Sequence, residues 1–283
     1  MSEKTGRDAQ TGAGSTVQDR DLPIRNSFAD RCISAAKAWL PTSLKRWIRK
    51  AQHRYSLRPP LGWVRFGTLR RIVPISPIFG MERGQGIDRY YIEKFLGKYS
   101  DDIRTHVLEI AEPRYTRQFG GNRVTRSDIL HAVPGNPEAT LVGDLVTGQG
   151  IPREAFDCMI LTQTFPFIYE VRAAIATVFA ALKPSGVLLA TVSGISQISR
   201  YDMERWGDYW RFTTASSHRL FNEFWPSEGV TVEAYGNVLV AMAYLYGLSS
   251  VELTAQELDY HDPDYQVLIT IRAVKPHIVK EVV

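Results

Sequence analysis

Three carboxylates stand at or near the ends of short apolar runs. Glu109 lies in HVLEIA (106–111), Asp128 in RVTRSDI (123–129) and Asp144 in ATLVGDL (139–145). Runs of this length, bounded by polar turns, read as strands. An acid at the carboxyl tip of a parallel strand faces the crevice where open α/β sheets take their ligands. Asp128 follows Glu109 by 19 residues, close to the roughly 20 that precede the ribose-binding acid of nucleotide-binding βαβ units. A second group lies in SRYDMERWGDYWRFT (199–213). There, an acid able to take a proton stands among aromatic faces and an arginine, a set that suits a sugar hydroxyl. Asp208 is the first choice as general base, with His218 or His131 behind it, and Tyr209, Trp210 and Arg211 as groups that hold the acceptor. A plainer alternative stands beside each reading. The three acids can be solvated turn residues, and the aromatic residues can plug a loop in which Arg211 is merely an ion-pair partner.

Other chemistries lack their residues. The six histidines are scattered, with no HxH or HExxH spacing, and His261-Asp262-Pro263-Asp264 reads as a turn, so no metal is proposed. The chain contains no GxSxG elbow, no P-loop and no GxGxxG after the first strand, which argues against acyl transfer, NTP hydrolysis and nicotinamide chemistry. Cys32 and Cys158 belong to no CxxC pair, so neither a disulfide framework nor a zinc knuckle is expected, and a reducing, cytoplasmic setting fits.

The elements that must position these groups alternate in type. Strands are expected at 106–111, 123–129, 139–145, 156–163 and 186–192, and a helix at 169–182, whose Val171, Ile175, Val178, Phe179 and Leu182 recur at helical spacing. TVEAY (231–235) and QVLITIRAV (266–274) are expected to pair as an antiparallel edge hairpin, with a packed helix in the apolar run 238–248. The sum is an α/β, doubly wound, mostly parallel seven-stranded sheet.

Length and composition, 283 residues with 44% apolar and 23% charged, suit one soluble α/β domain with an appendage. The net charge of +4 is unevenly spread. Residues 1–71 carry 15 Lys/Arg against 5 Asp/Glu, residues 72–283 carry 19 against 25, and eleven basic residues and no acid lie between Asp30 and Glu82. The expected organisation is a polar tail at 1–25, a basic helical extension and linker at 26–80, and the main domain at 81–283. In the extension, Leu44, Trp47, Ile48 and Ala51 form an apolar stripe opposite Lys45, Arg46, Arg49, Lys50 and Arg54. Residues 39–58 therefore suit either an anionic membrane surface or packing on the main domain. Nucleic acid is a weaker reading, since no recognition motif accompanies the charge. No stretch reaches the ~18 apolar residues that span a bilayer, and the first residues hold no secretion signal.

The segment FDCMILTQTFPFIYEVRAAIATVFAALKPSGVLLATV, with KPSG where KPGG is usual, resembles the second half of class I methyltransferases of the type 11 group, which use S-adenosylmethionine (SAM). GIDRYYIEKFL (86–96) and GDYWRFT (207–213) extend the resemblance, to bacterial members found with cell-envelope and polysaccharide biosynthesis, over about residues 82–274. It implies SAM at the strand tips. Glu109, Ile110 and Ala111 would lie at its methionine end, Asp128 at the ribose hydroxyls, Asp144 and Leu145 at the adenine, and Gln163 and Thr164 beside the methyl group. Arg83, Asp88, Arg89 and Tyr90 would fold over the pocket, with Arg89 and Tyr90 touching the acceptor. The main departure is the turn after the first strand, where ExGxGxG is replaced by E109-I-A-E-P-R-Y, with Ala111, Pro113 and Tyr115 at the glycine positions. Glycines there let the backbone pass under the ligand, so binding would use a reshaped loop, with Arg114 or the Gly120-Gly121 pair assisting. The function implied is methyl transfer from SAM to a hydroxyl or amine of a small-molecule or lipid-linked saccharide, in the cytoplasm or at the inner face of the membrane. The alternative is a non-catalytic module partnering a glycan-biosynthesis enzyme.

Overall fold

The computed structural model describes residue 59 and residues 61–277. The expected tail, the basic helices and Cys32 lie outside them. The chain divides into two compact units, residues 1–67 and 68–283. Of the first, residues 59 and 61–67 are described, and all are exposed.

The second unit is built on seven strands: β1 (Thr105–Ile110), β2 (Val124–His131), β3 (Leu141–Val142), β4 (Phe156–Thr162), β5 (Leu182–Ser193), β6 (Val230–Tyr235) and β7 (Leu268–Val274). Their order is β3-β2-β1-β4-β5-β7-β6. Neighbours are parallel except β7, which runs antiparallel to both β5 and β6. This is the sheet of the class I methyltransferase fold, and the expected antiparallel hairpin is present, with β7 inserted between β5 and β6.

Layering follows from the pleat, because alternate residues face opposite sides. Leu108, Met159, Leu161, Leu188 and Ile271 meet α2 (Val171–Ala181) and α4 (Thr214–Phe221) on one face. Val107, Cys158, Ile160 and Leu189 meet α1 (Ile87–Lys98) and α5 (Val238–Leu245) on the other. The sequence VRAAIATVFAA combines strong helix formers with an apolar stripe at Val171, Ile175 and Val178, so α2 forms and buries that stripe. Each fully buried side chain of this size contributes roughly 2 kcal/mol. Thr213 and Ser216 start α4 with a reciprocal capping box. Two short helices, α3 (Arg200–Met203) and α6 (Ala255–Asp259), complete the set.

The layers are thinnest at the β3 edge. The connections 132–140 and 143–155 carry no helix, and β2 and β3 share only the pairs Leu130–Leu141 and His131–Val142. Residues 68–80, expected as linker, belong to the second unit: the N–H groups of Ile75 and Ser76 donate to the Tyr246 carbonyl. Among the described residues, no helix is long and apolar enough to cross a membrane.

Candidate functional site

The turn after β1 begins with Ala111, whose φ of 67° lies in the left-handed region, where an L-residue pays for its Cβ. This is the first of the three glycine positions, and the backbone keeps a glycine's path. Ser185, at the third position of KPSG, does the same with φ 65°. Ala111 and Glu112 are exposed, whereas Pro113 and Tyr115 are buried. Tyr115 packs in the core on the α1 side, and its hydroxyl accepts from Arg89 Nη1 at 2.8 Å. The bulky replacements are thus turned inward, and the accessible part of the turn is its least substituted part.

Glu109 holds this turn from below. It is 3% exposed, and its two oxygens accept from the backbone N–H groups of Tyr115 at 3.0 Å and Thr116 at 2.7 Å. These are free N–H groups at the start of a helical segment, so the carboxylate acts as its cap. Burial pushes its pKa up, against the lowering effect of these bonds.

Asp128 does not reach the strand tip. It pairs with Leu108 in mid-sheet, while β2 runs on to His131. It accepts from Thr140 Oγ1 at 2.9 Å, meets His106 Nε2 at 2.6 Å and pairs with Arg126 at 3.0 Å. Burial alone would raise its pKa, but the bonds from His106 and Thr140 and the charge of Arg126 outweigh it and hold the carboxyl below its ordinary range. By the pleat, Asp128 lies on the Leu108 face and Glu109 on the Val107 face, so the two acids point away from each other. Asp144 is exposed and closes its own turn, accepting from Val146 N at 2.8 Å and Thr147 Oγ1 at 2.9 Å. Leu145 is buried in the core below it. The three acids therefore do not converge, and His131 occupies the β2 tip where the sequence spacing suggested Asp128.

Gln163, at the tip of β4, has φ 50°. Its Oε1 accepts from Ser193 Oγ at 2.7 Å, tying the tips of β4 and β5 together. Thr164 is half-buried next to it.

The segment after β5 crosses these tips. Asp208 has a side chain 1% exposed. Both of its oxygens accept from the Arg211 guanidinium, and it also accepts from Ser199 N at 3.0 Å. Arg211 in turn donates to the carbonyls of Gln197 and Trp210. This pair organises the loop, and the geometry speaks for Arg211 as a structural partner and against Asp208 as a free base. Trp206 meets the His131 ring edge-on at 6.1 Å, so the segment covers the β2 tip. Trp210 donates to the Ile168 and Tyr169 carbonyls and stacks on Tyr169, while Tyr209 meets Tyr169 edge-on. Tyr169, Tyr209 and Trp210 remain exposed and form an open aromatic face. His218 is exposed on α4, away from these contacts.

At the start of α1, Asp88 and Arg89 lie beside Tyr115 and Tyr244. Asp88 is largely buried, 4.0 Å from the Arg89 guanidinium. Burial pushes its carboxyl up, and Arg89 and backbone N–H groups offset this only in part. Tyr244, raised mainly by its own burial, has Ser196 in hydrogen-bond reach and senses Asp88, Arg89 and Arg211. Other expected members lie elsewhere. Tyr90 donates to Asp259 at 2.9 Å, Arg83 pairs with Glu252 and Arg114 with Glu93. Gly120 packs on Ile103 and Val124, at the amino end of β2.

Sequence reasoning missed the Trp206–His131 contact, the bond from Asn136 Nδ2 to the Ala111 carbonyl and the position of Tyr244. Only Asn136, in a Gly-Asn-Pro turn, carried a signal, since such residues often bond to nearby backbone. Two surface depressions, one on the flank of α2 by Ile151 and Thr177 and one on the outer face of α1 by Glu93 and Lys94, lie away from the strand tips.

No protein-family model and no curated protein sequence matches the chain. Solved structures are similar to it at low identity. A SAM-dependent methyltransferase from Archaeoglobus fulgidus is 11% identical, with a TM-score of 0.45 over 69% of this chain and 97% of that one. A SAM-dependent methyltransferase from Mesorhizobium loti is 14% identical, with a TM-score of 0.43 over 68% and 99%. The N-methyltransferase NodS of Bradyrhizobium japonicum, in complex with S-adenosylhomocysteine, is 13% identical, with a TM-score of 0.43 over 69% and 90%. These likenesses are weak, and what the chain does has to be read from its own residues.

Proposed function

We propose that the second unit is a SAM-dependent methyltransferase acting on a hydroxyl or amine of a saccharide, free or lipid-linked. The observation that carries this reading is the left-handed, solvent-accessible turn at Ala111, at the carboxyl tip of a central parallel strand. It keeps the backbone approach that an adenosyl ligand needs, although the glycines are gone. The residues fit the ligand as follows. Ala111 and Glu112 would offer backbone beneath its methionine end, with Gln163 and Thr164 beside the methyl group. The ring of His131, bracketed by Trp206, and the turn at Asp144 would take the nucleoside end. When bound, SAM supplies a methyl group made electrophilic by its sulfonium.

The chain's own part is positioning, which can supply much of the rate when two reactants are held together. The loop 196–211, stapled by Asp208 and Arg211, lies against the β2 tip through Trp206 and His131 and against the segment after β4 through the bonds from the Tyr209 and Trp210 N–H groups to the Pro166 carbonyl. It leaves the Ala111 turn at the β1 tip open to a ligand. The exposed faces of Tyr169, Tyr209 and Trp210 would stack on a sugar ring. In place of Asp208, Asp88, which lies beside Arg89 and Tyr244 with its carboxyl raised by burial, would accept the acceptor's proton. The basic segment 39–58 would bring the enzyme to an anionic membrane.

A second reading is favoured by one observation. Asp208 is fully engaged and Trp206 covers the β2 tip, as in a module that keeps the fold without turnover. Calorimetric titration with SAM and S-adenosylhomocysteine separates the two. Binding by the native chain, with Asp88→Asn retaining binding but losing transfer to a saccharide acceptor, supports catalysis. Absence of heat and of any thermal shift at millimolar ligand, for the native chain and for Trp206→Ala alike, supports the module.

A further inference from the structure

Helix α5, with the sequence VLVAMAYL, has no charged residue and is apolar on every side. A helix apolar all round is normally buried all round, and this one is not. Val240, Ala241, Ala243 and Tyr244 face the core, while Val238, Leu239 and Leu245 are 49%, 41% and 43% exposed, with Met242 partly so. At 100° per residue these four form one continuous stripe, opposite the buried one.

The stripe continues onto the chain that wraps the end of α5. Ile75 and Ser76 donate to the Tyr246 carbonyl, the Tyr246 hydroxyl donates to the Leu69 carbonyl, and the Phe79 ring lies 5.7 Å from that of Tyr244. On this wrapped segment Ile72 is fully exposed and Val73 more than half exposed. Arg70 and Arg71 precede them, and no acid occurs from Arg31 to Met81. Residues 236–249 carry no charge either, whereas residues 72–283 as a whole carry six more acids than bases. On an acidic domain, this face combines exposed aliphatic side chains with the exposed pair Arg70 and Arg71 at one edge, while Glu82 is drawn back onto Ser76 at 2.8 Å. Such a face complements an anionic lipid surface, into which the aliphatics insert while the arginines meet headgroups.

We infer that the outer stripe of α5, with Ile72 and Val73 and the edge formed by Arg70 and Arg71, is a docking face for an anionic membrane. It is distinct from the basic segment 39–58 and independent of whether methyl transfer occurs. The test is flotation of the full chain with vesicles of phosphatidylcholine alone and of phosphatidylcholine mixed with phosphatidylglycerol. The native chain should float with the mixed vesicles and less with the neutral ones. Leu239→Glu/Leu245→Glu should lower partition at least about tenfold on the mixed vesicles, since two charges replace inserted aliphatics. Arg70→Glu/Arg71→Glu should reduce the preference for anionic lipid, the remainder belonging to the basic segment 39–58. Should the glutamate pair lower the melting temperature, Leu239→Gln/Leu245→Gln is read instead, with the same loss expected. The inference is overturned if the α5 variants float as the native chain does, if the native chain floats with neither vesicle, or if sedimentation shows a native dimer that Leu245→Glu splits.

Discussion

Replacing Ala111 by glycine tests the turn on which the ligand reading rests. A left-handed residue with a Cβ costs about 1–2 kcal/mol, while glycine's extra freedom in the unfolded chain costs about 0.5–1. The Ala111 methyl is exposed, so its removal leaves no cavity. The balance is a gain of roughly 0.5–1 kcal/mol, which for a unit of this size raises the melting temperature by about 1–4 °C. Ala111→Val is the converse, because a β-branched residue tolerates φ of 67° least, and it should lose about 1–3 kcal/mol. Thermal melts and urea titrations read both. Titration with S-adenosylhomocysteine reads function: Ala111→Gly should bind at least as tightly as the native chain, and Ala111→Val more weakly. A drop in stability on going to glycine would refute the left-handed turn. A gain in stability, with valine leaving affinity unchanged, would show that the turn shapes the loop without meeting the ligand.

Three further outcomes follow from the contacts. Asp208→Asn removes the charge that Arg211 and Ser199 hold and should cost about 1–3 kcal/mol, less than a fully buried pair because Arg211 is partly exposed. Limited proteolysis within 199–211 should accelerate, whereas unchanged stability with lost transfer would restore Asp208 as the base. Glu109→Gln presents an N–H to one of two backbone N–H donors and should cost about 1–3 kcal/mol in urea unfolding; a neutral result would show that the carboxylate does not cap the turn. Glu252 is held down to about 2, chiefly by the hydrogen bond from Arg83. Since its folded pKa lies below the unfolded value of about 4.3, its stabilisation is full above that value and is lost as pH falls toward 2. Carbon-13 NMR should show Glu252 titrating closer to ordinary acidity in Arg83→Ala, with the Ser249 N–H still holding it somewhat low, and an unchanged pKa there would exclude the ion pair.

The fold was legible because its signals are periodic. The β4 strand, α2 and β5 differ from expectation by a few residues at their ends, since a continuous apolar run and an amphipathic helix each leave one packing solution. The β3 strand shrank from seven expected residues to Leu141–Val142, because Gly143 and the Asp144 turn leave the ladder early. The site was less legible. Spacing put Asp128 next to the end of its strand, but β2 runs two residues further than expected, which places the acid in mid-sheet against His106. Strand length, not motif, decides which residue reaches the tip. Asp208 was recognised as an acid among aromatics, but no sequence rule says that Arg211, three residues on, turns back to claim it. Ala111 and Ser185 show the converse: the residue type changed and the backbone angle stayed.

The two-pair ladder that joins β3 to the sheet has a consequence for how a nucleoside could be held. With no crossover helix on either side of it, this corner has little buried surface to protect its amides. It should open locally, well before the core unfolds. A ligand seated against the Asp144 turn would have to order that corner as it binds, giving up part of its affinity to do so. Hydrogen exchange at 139–149 should then slow sharply in the complex while β4 and β5 barely change.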